Sequence, residues 1–156
     1  MPKSEMKIES EYMIPEETPV PARLDAVEVK AFQSKDRDTG ALKFDRNGDP
    51  EMYDKWDWTF YVNDGPYAGV RINRLTEPYI SMHQNNLVRH FAETLTGKVW
   101  REGEGLDTDD LIGLRCLLTV KHRPPVPKKD GSGMGFYMNI ADIFPADALG
   151  DDKPPF

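Results

Sequence analysis

The stretch Lys55 to Val62, KWDWTFYV, alternates without a break. Trp56, Trp58, Phe60 and Val62 fall on one side of an extended chain, and Lys55, Asp57, Thr59 and Tyr61 on the other. A period of two with this aromatic content reads as a strand with one face against a core. Turn signals bound it: Gly48 and Pro50 before, Asn63-Asp64-Gly65-Pro66 after. Whatever this chain folds into therefore contains a sheet with one apolar face.

The segments around it extend the pattern. Leu24 to Phe32 places Val27, Val29 and Ala31 on one alternating face and reads as a first strand. Gly69 to Leu75 is a third, with Val70 and Ile72 inward and Arg71 and Asn73 outward. The period then changes. Leu87, Val88, Phe91 and Leu95 repeat at helical spacing, Gly97 supplies a stop, and Ser81 with Gln84 fits a capping box at the start. Residues 109–113 form a short helical turn or loop. Arg115 to Arg123 is a fourth strand, with Cys116, Leu118 and Val120 inward and Leu117 among the outward residues. Gly135 to Phe144 is a fifth, with Phe136, Met138 and Ile140 inward and Tyr137 and Asn139 outward. Long polar loops, residues 34–52 and 124–135, join the first strand to the second and the fourth to the fifth.

Five strands with a helix between the third and fourth predict a mainly β fold, the five-stranded Greek-key barrel called the OB-fold. Its two long loops, and the strand face between them, are where such barrels hold oligonucleotides. The expected organisation is an acidic, proline-containing arm (residues 1–22), the barrel domain (23–145) and an acidic tail (146–156).

Composition bounds the function. The chain has 156 residues, 30% of them charged and 38% hydrophobic. No apolar run approaches the roughly 20 residues of a membrane helix, and the N-terminus lacks the apolar core of a secretory signal. Cys116 is the single cysteine, so neither an internal disulfide nor a cysteine-based zinc site can form, and a reducing, cytoplasmic setting is expected. His83, His90 and His122 have no ligand partners at metal-binding spacing. Residues 45–49 open like a calcium loop, but Pro50 and Trp56 stand where that loop needs glycine and glutamate. Gly131, Gly133 and Gly135 neither follow a strand nor open a helix, so they make no phosphate loop. No catalytic set is readable, and the chain is expected to be no enzyme and to need no cofactor.

The net charge of -7 argues at first against nucleic acid. Its distribution reverses that. Five of the seven excess negative charges lie in residues 1–22 and 145–156. Arg115 to Lys129 holds Arg115, Lys121, Arg123, Lys128 and Lys129 and no acid. Such a rail suits a phosphate backbone; Arg71 and Arg74 on the neighbouring strand extend it, as do Lys43 and Arg46 in the first long loop. Tyr61 and Tyr137 point outward, and Trp56 opens its strand near the barrel mouth, offering rings on which unpaired bases stack.

The chain ends Asp151-Asp152-Lys153-Pro154-Pro155-Phe156. Two acids, a proline and a C-terminal phenylalanine resemble the acidic tip of bacterial single-stranded DNA-binding proteins. The resemblance implies a barrel that holds DNA without sequence preference, and a tip, here Asp151, Asp152, Pro155 and Phe156, that recruits enzymes of replication, recombination and repair. A terminal ring with its carboxylate suits an apolar pocket with a basic rim. The chain departs from that family at Lys153 and Pro154, in lacking a Gly/Gln-rich linker, and in its acidic N-terminal arm. These departures suggest a diverged protein, such as a phage-encoded one, rather than the housekeeping bacterial form. The competing expectation is an OB-like protein-interaction module, or a phage inhibitor that binds a host protein instead of DNA. Oligomeric state is not readable, although an edge strand offers a route to a homo-oligomer.

Overall fold

The computed structural model describes residues 13–124, 126–127, 131, 134–135 and 137–147. Five antiparallel strands form one sheet: β1 (Val20–Gln33), β2 (Met52–Val62), β3 (Arg71–Thr76), β4 (Arg115–His122) and, last in the chain, β7 (Met138–Pro145). Their order across the sheet is β3-β2-β1-β4-β7. A separate two-residue pair, β5 (Val126–Pro127) with β6 (Met134–Gly135), lies in the loop between β4 and β7. The helix α1 (Leu87–Thr96) and a 3-10 turn (Thr108–Leu111) connect β3 to β4.

β1 organises the sheet. Its first residues, Val20 to Arg23, pair with Leu118 to Arg115 of β4, while nearly its whole length pairs with β2. The register with β2 shifts between Leu24 and Ala26, and an extra residue of this kind bends a strand and sharpens its twist. The sheet thereby wraps around one core. β3 and β7, its two ends, share no ladder; the Arg74 guanidinium reaches across to donate to the Ile140 carbonyl at 2.8 Å.

Alternation predicts much of this core. Trp58, Phe60 and Val62 are buried, as are Ile72, Cys116, Leu118, Val120 and Ile140. α1 lays Val88, Phe91, Ala92 and Leu95 against them, the spacing of one helix face. Phe91 meets Trp58 and Phe60 edge-on, with centroids 5.2 and 5.8 Å apart, the geometry aromatic quadrupoles favour. Gly97 ends the helix in the left-handed region and donates its N–H to the Glu93 carbonyl. Outside the core, His90 Nε2 lies 2.7 Å from Asp142 Oδ1 and ties α1 to β7.

Several expectations need correction. The helix begins later than Ser81: Asn86 is its N-cap and accepts from the Arg89 N–H at 2.8 Å, while the Ser81 hydroxyl accepts from His83 N–H in a preceding turn. His83 is therefore not on the helix. Leu117 is buried on the sheet's other face, because β4 is an interior strand and Pro21 and Phe144 pair with Leu117 from either side. Val29 and Ala31 keep the predicted parity but are exposed, since the far half of β1 and the near half of β2 run beyond the core as a two-stranded ribbon. The loop at its tip is ordered by bridges between Lys35 and Leu42 and between Phe44 and Pro50. A register shift between Thr119 and Val120 brings Ile143 inward on β7 as well as Ile140. Phe136 lies outside the described residues.

The folded body also starts before residue 23. Ile14 is wholly buried; its N–H points to Met138 Sδ at 3.2 Å, and its carbonyl lies 2.6 Å from His122 Nε2. Glu16 accepts from the His122 N–H. Ile14 thus packs into the core beside the end of β4 and the start of β7, while residues 15–19 stay exposed.

Candidate functional site

Because the inner face of the sheet is filled, function falls to the outward face and the loops at its rim. There, β2 presents Tyr53, Lys55, Asp57, Thr59 and Tyr61, and β1 presents Glu28, Lys30 and Phe32 beyond its register shift. β3 presents Arg71, Asn73 and Leu75. The paired ends of β4 and β7 bring Lys121 opposite Asn139, with the Arg123 N–H donating to the Tyr137 carbonyl just beyond.

A groove of about 610 Å³ crosses this face. Lys30 and Phe32 form one wall, Arg123 and Asn139 the other, and Asp57, Asn73, Arg74 and Leu75 lie between. It joins the ribbon to the start of the β4–β7 loop, two segments far apart in sequence. Phe32 also lines a second depression toward the ribbon tip, with Tyr53, Lys35 and Lys43. Phe32 and Tyr53 stack at 5.8 Å and 27°, so one aromatic pair marks the junction of the two hollows.

The electrostatics are one-sided. Among the described residues, Asp57 is the only carboxylate in either lining. It is nearly buried; its two oxygens accept from the Asn73 amide nitrogen at 3.1 and 3.2 Å, and Oδ2 also accepts from Lys30 Nζ at 2.6 Å. That hydrogen bond and the Asp57 charge raise the pKa of the Lys30 ammonium, against a small opposing effect of burial. Arg123, Lys35 and Lys43 add positive charge along the path, whereas Arg74 alternates with Asn73, has the core-side parity of Trp58 and reaches the groove only at its edge. Two further acids stand near these cations: Glu28 acts on Lys30 through its charge, and Asp36 acts likewise on Lys43.

The sequence-predicted residues divide among three places. Arg123 and Arg74 line the groove, although Arg74 also spends a donor on Ile140. Lys121 and Tyr137 are exposed at its β4–β7 side. Trp56 is not in the groove: it sits on the core side of β2, half-buried and 6.4 Å from Trp58, because it alternates with Asp57. Tyr61 and Arg71 lie farther along the outward face, the ring flanked by the Arg23 guanidinium at 4.3 Å and that of Arg71 at 5.0 Å. Lys128, Lys129, Asp151, Asp152, Pro155 and Phe156 lie outside the described residues.

Sequence reasoning missed Lys30, Phe32, Asn73 as an amide donor, and Lys35. Lys30 and Phe32 share the outward parity of the first strand, a signal that was readable once that strand's apolar face was assigned. Their position across from Arg123 was not.

No cluster of three or more metal-ligating side chains occurs among the described residues, and the three histidines serve separate contacts. Cys116 is buried in the core, which pushes its thiol up to about 12. No described helix is long and apolar enough to cross a membrane. Comparison with family models, curated proteins and solved structures yields no match.

Proposed function

We propose that this chain binds single-stranded DNA, without strong sequence preference, along the outward face of a partly open OB-like barrel. The barrel reading rests on β1 pairing with both β2 and β4, on the bend within it, on α1 closing the core, and on Arg74 reaching from β3 to β7. OB-folds bind oligonucleotides over the second and third strands, between the first-to-second and fourth-to-fifth loops. The groove's lining from β2 and β3, between the β1–β2 ribbon and the start of the β4–β7 loop, supports that reading.

One observation carries the function: a groove with, among its described residues, a single carboxylate paired with Lys30, several cations and a stacked aromatic pair at its junction. Cations attract the phosphates, and rings receive bases whatever their identity. No cofactor enters this mechanism. The acidic tip, Asp151, Asp152, Pro155 and Phe156, docks a replication, recombination or repair protein; that part rests on the sequence resemblance.

The test is fluorescence anisotropy with labelled oligo-dT over a salt series. If about three to five phosphates are neutralised, the log–log slope should be about -2 to -3.5. Arg123→Glu should weaken binding at least about tenfold without lowering the melting temperature, because Arg123 is exposed. A flat salt response, or equal affinity for the variant, refutes the proposal.

A further inference from the structure

Beyond the groove, the outward face carries a row of residues running across four strands. Arg71 of β3 pairs with Tyr61 of β2, Tyr61 with Arg23 of β1, and Arg23 with Arg115 of β4. Neighbouring strands lie about 4.8 Å apart, so three guanidinium groups occupy a band about 15 Å long. The Tyr61 ring holds Arg23 and Arg71 on its two sides, restricting their rotamers before any ligand arrives. Asp25 balances part of this charge, 3.5 Å from Arg71 Nε. Asp64 lies by a hollow that Arg115 also lines. Arg23 and Arg115 make no ion pair or side-chain hydrogen bond to a described residue.

The pairing of Arg23 with Arg115 is the informative feature. Like charges directly opposite each other on antiparallel strands destabilise a sheet. A fold that needed only solubility gains nothing from that placement, whereas an anion lying between the two relieves the repulsion. The row is also continuous with the groove: Arg71 is two residues from Asn73 along β3, about 7 Å.

We infer that Arg23, Arg71 and Arg115, set around Tyr61, form a second phosphate-binding station, on which the DNA strand leaving the groove continues across the sheet. This rests on the groove's holding single-stranded DNA. Tyr61 acts here by positioning the arginines, with its ring faces already occupied, and not by stacking a base.

The test compares two labelled oligo-dT probes, of roughly 6 and roughly 20 nucleotides, within and beyond the usual span of one OB-fold. The variants are Arg115→Gln, at an exposed position, and Arg23→Gln with Arg115→Gln. Both should bind the short probe like the parent chain. The double variant should bind the long probe about tenfold more weakly, with the salt slope shallower by about 1.4, the value for two lost phosphate contacts. Its melting temperature should stay within a few degrees of the parent's, as the lost repulsion offsets the lost Arg23–Tyr61 contact. Equal weakening for both probes, or none for either, overturns the second station while leaving the groove in place. If Arg123→Glu has no effect and the parent binds neither probe, the reading of the groove itself fails and the station falls with it.

Discussion

Replacing Ile14 with alanine tests the most unexpected part of the fold. Read from sequence, Ile14 belongs to a solvated, proline-interrupted arm, and its truncation should change nothing. In the structure its side chain is wholly buried and its backbone touches Met138 and His122. Ile→Ala removes three carbons, worth about 2.4 kcal/mol at roughly 0.8 kcal/mol per buried CH₂. The unfilled cavity brings the expected loss to about 3–4 kcal/mol, within the roughly 2–5 kcal/mol range for such truncations. In a chain of this size about 1 kcal/mol moves the melting temperature by about 2–4 °C, so a fall of about 10 °C is expected. Urea unfolding followed by tryptophan fluorescence measures the free energy, and circular dichroism the midpoint. Val99→Ala is the control: Val99 is 72% exposed, and its truncation should stay within about 0.5 kcal/mol. If Ile14→Ala unfolds like the control, Ile14 is not part of the core.

Asn86→Ala should cost about 1 kcal/mol, the usual worth of an N-cap, whereas Ser81→Ala should cost little in the same urea titration; the reverse order would return the helix start to Ser81. Cys116, buried and with its thiol held protonated, should not react with a disulfide reagent at pH 8 in the native chain and should react on unfolding; fast native labelling would show that β4 opens or that the thiol is exposed.

What could be read in advance follows from what alternation reports. A period of two states which residues share a face, and the inward sets of β2 and β4 follow it: Trp58, Phe60 and Val62, then Cys116, Leu118 and Val120. It does not state how far the core reaches under that face. Val29 has the right parity and is exposed because the ribbon outruns the core. Nor does it report a second covered face, which is why Leu117, flanked by Pro21 and Phe144, was placed outward. Caps are decided by whichever side chain reaches the first free N–H groups. Asn86 does so here, although Ser81 fits the sequence pattern better.

The candidate site divides the same way. The carboxylate-free run from Arg115 to Lys129 and the outward positions of Arg71, Asn73 and Tyr137 are properties of the chain itself, fixed by composition and period. The groove is not, because its walls come from the far half of β1 and the end of β4, which meet only when the sheet curls. The neutralisation of Asp57 by Lys30, the withdrawal of Trp56 to the core side and the facing of Arg23 with Arg115 depend on strand register. Sequence by itself determined the elements, their faces and the sign of the charge along them. Tertiary structure decided which charges stand together, because electrostatic and packing energies depend on distance in space, and strand pairing makes near neighbours of residues that are remote along the chain.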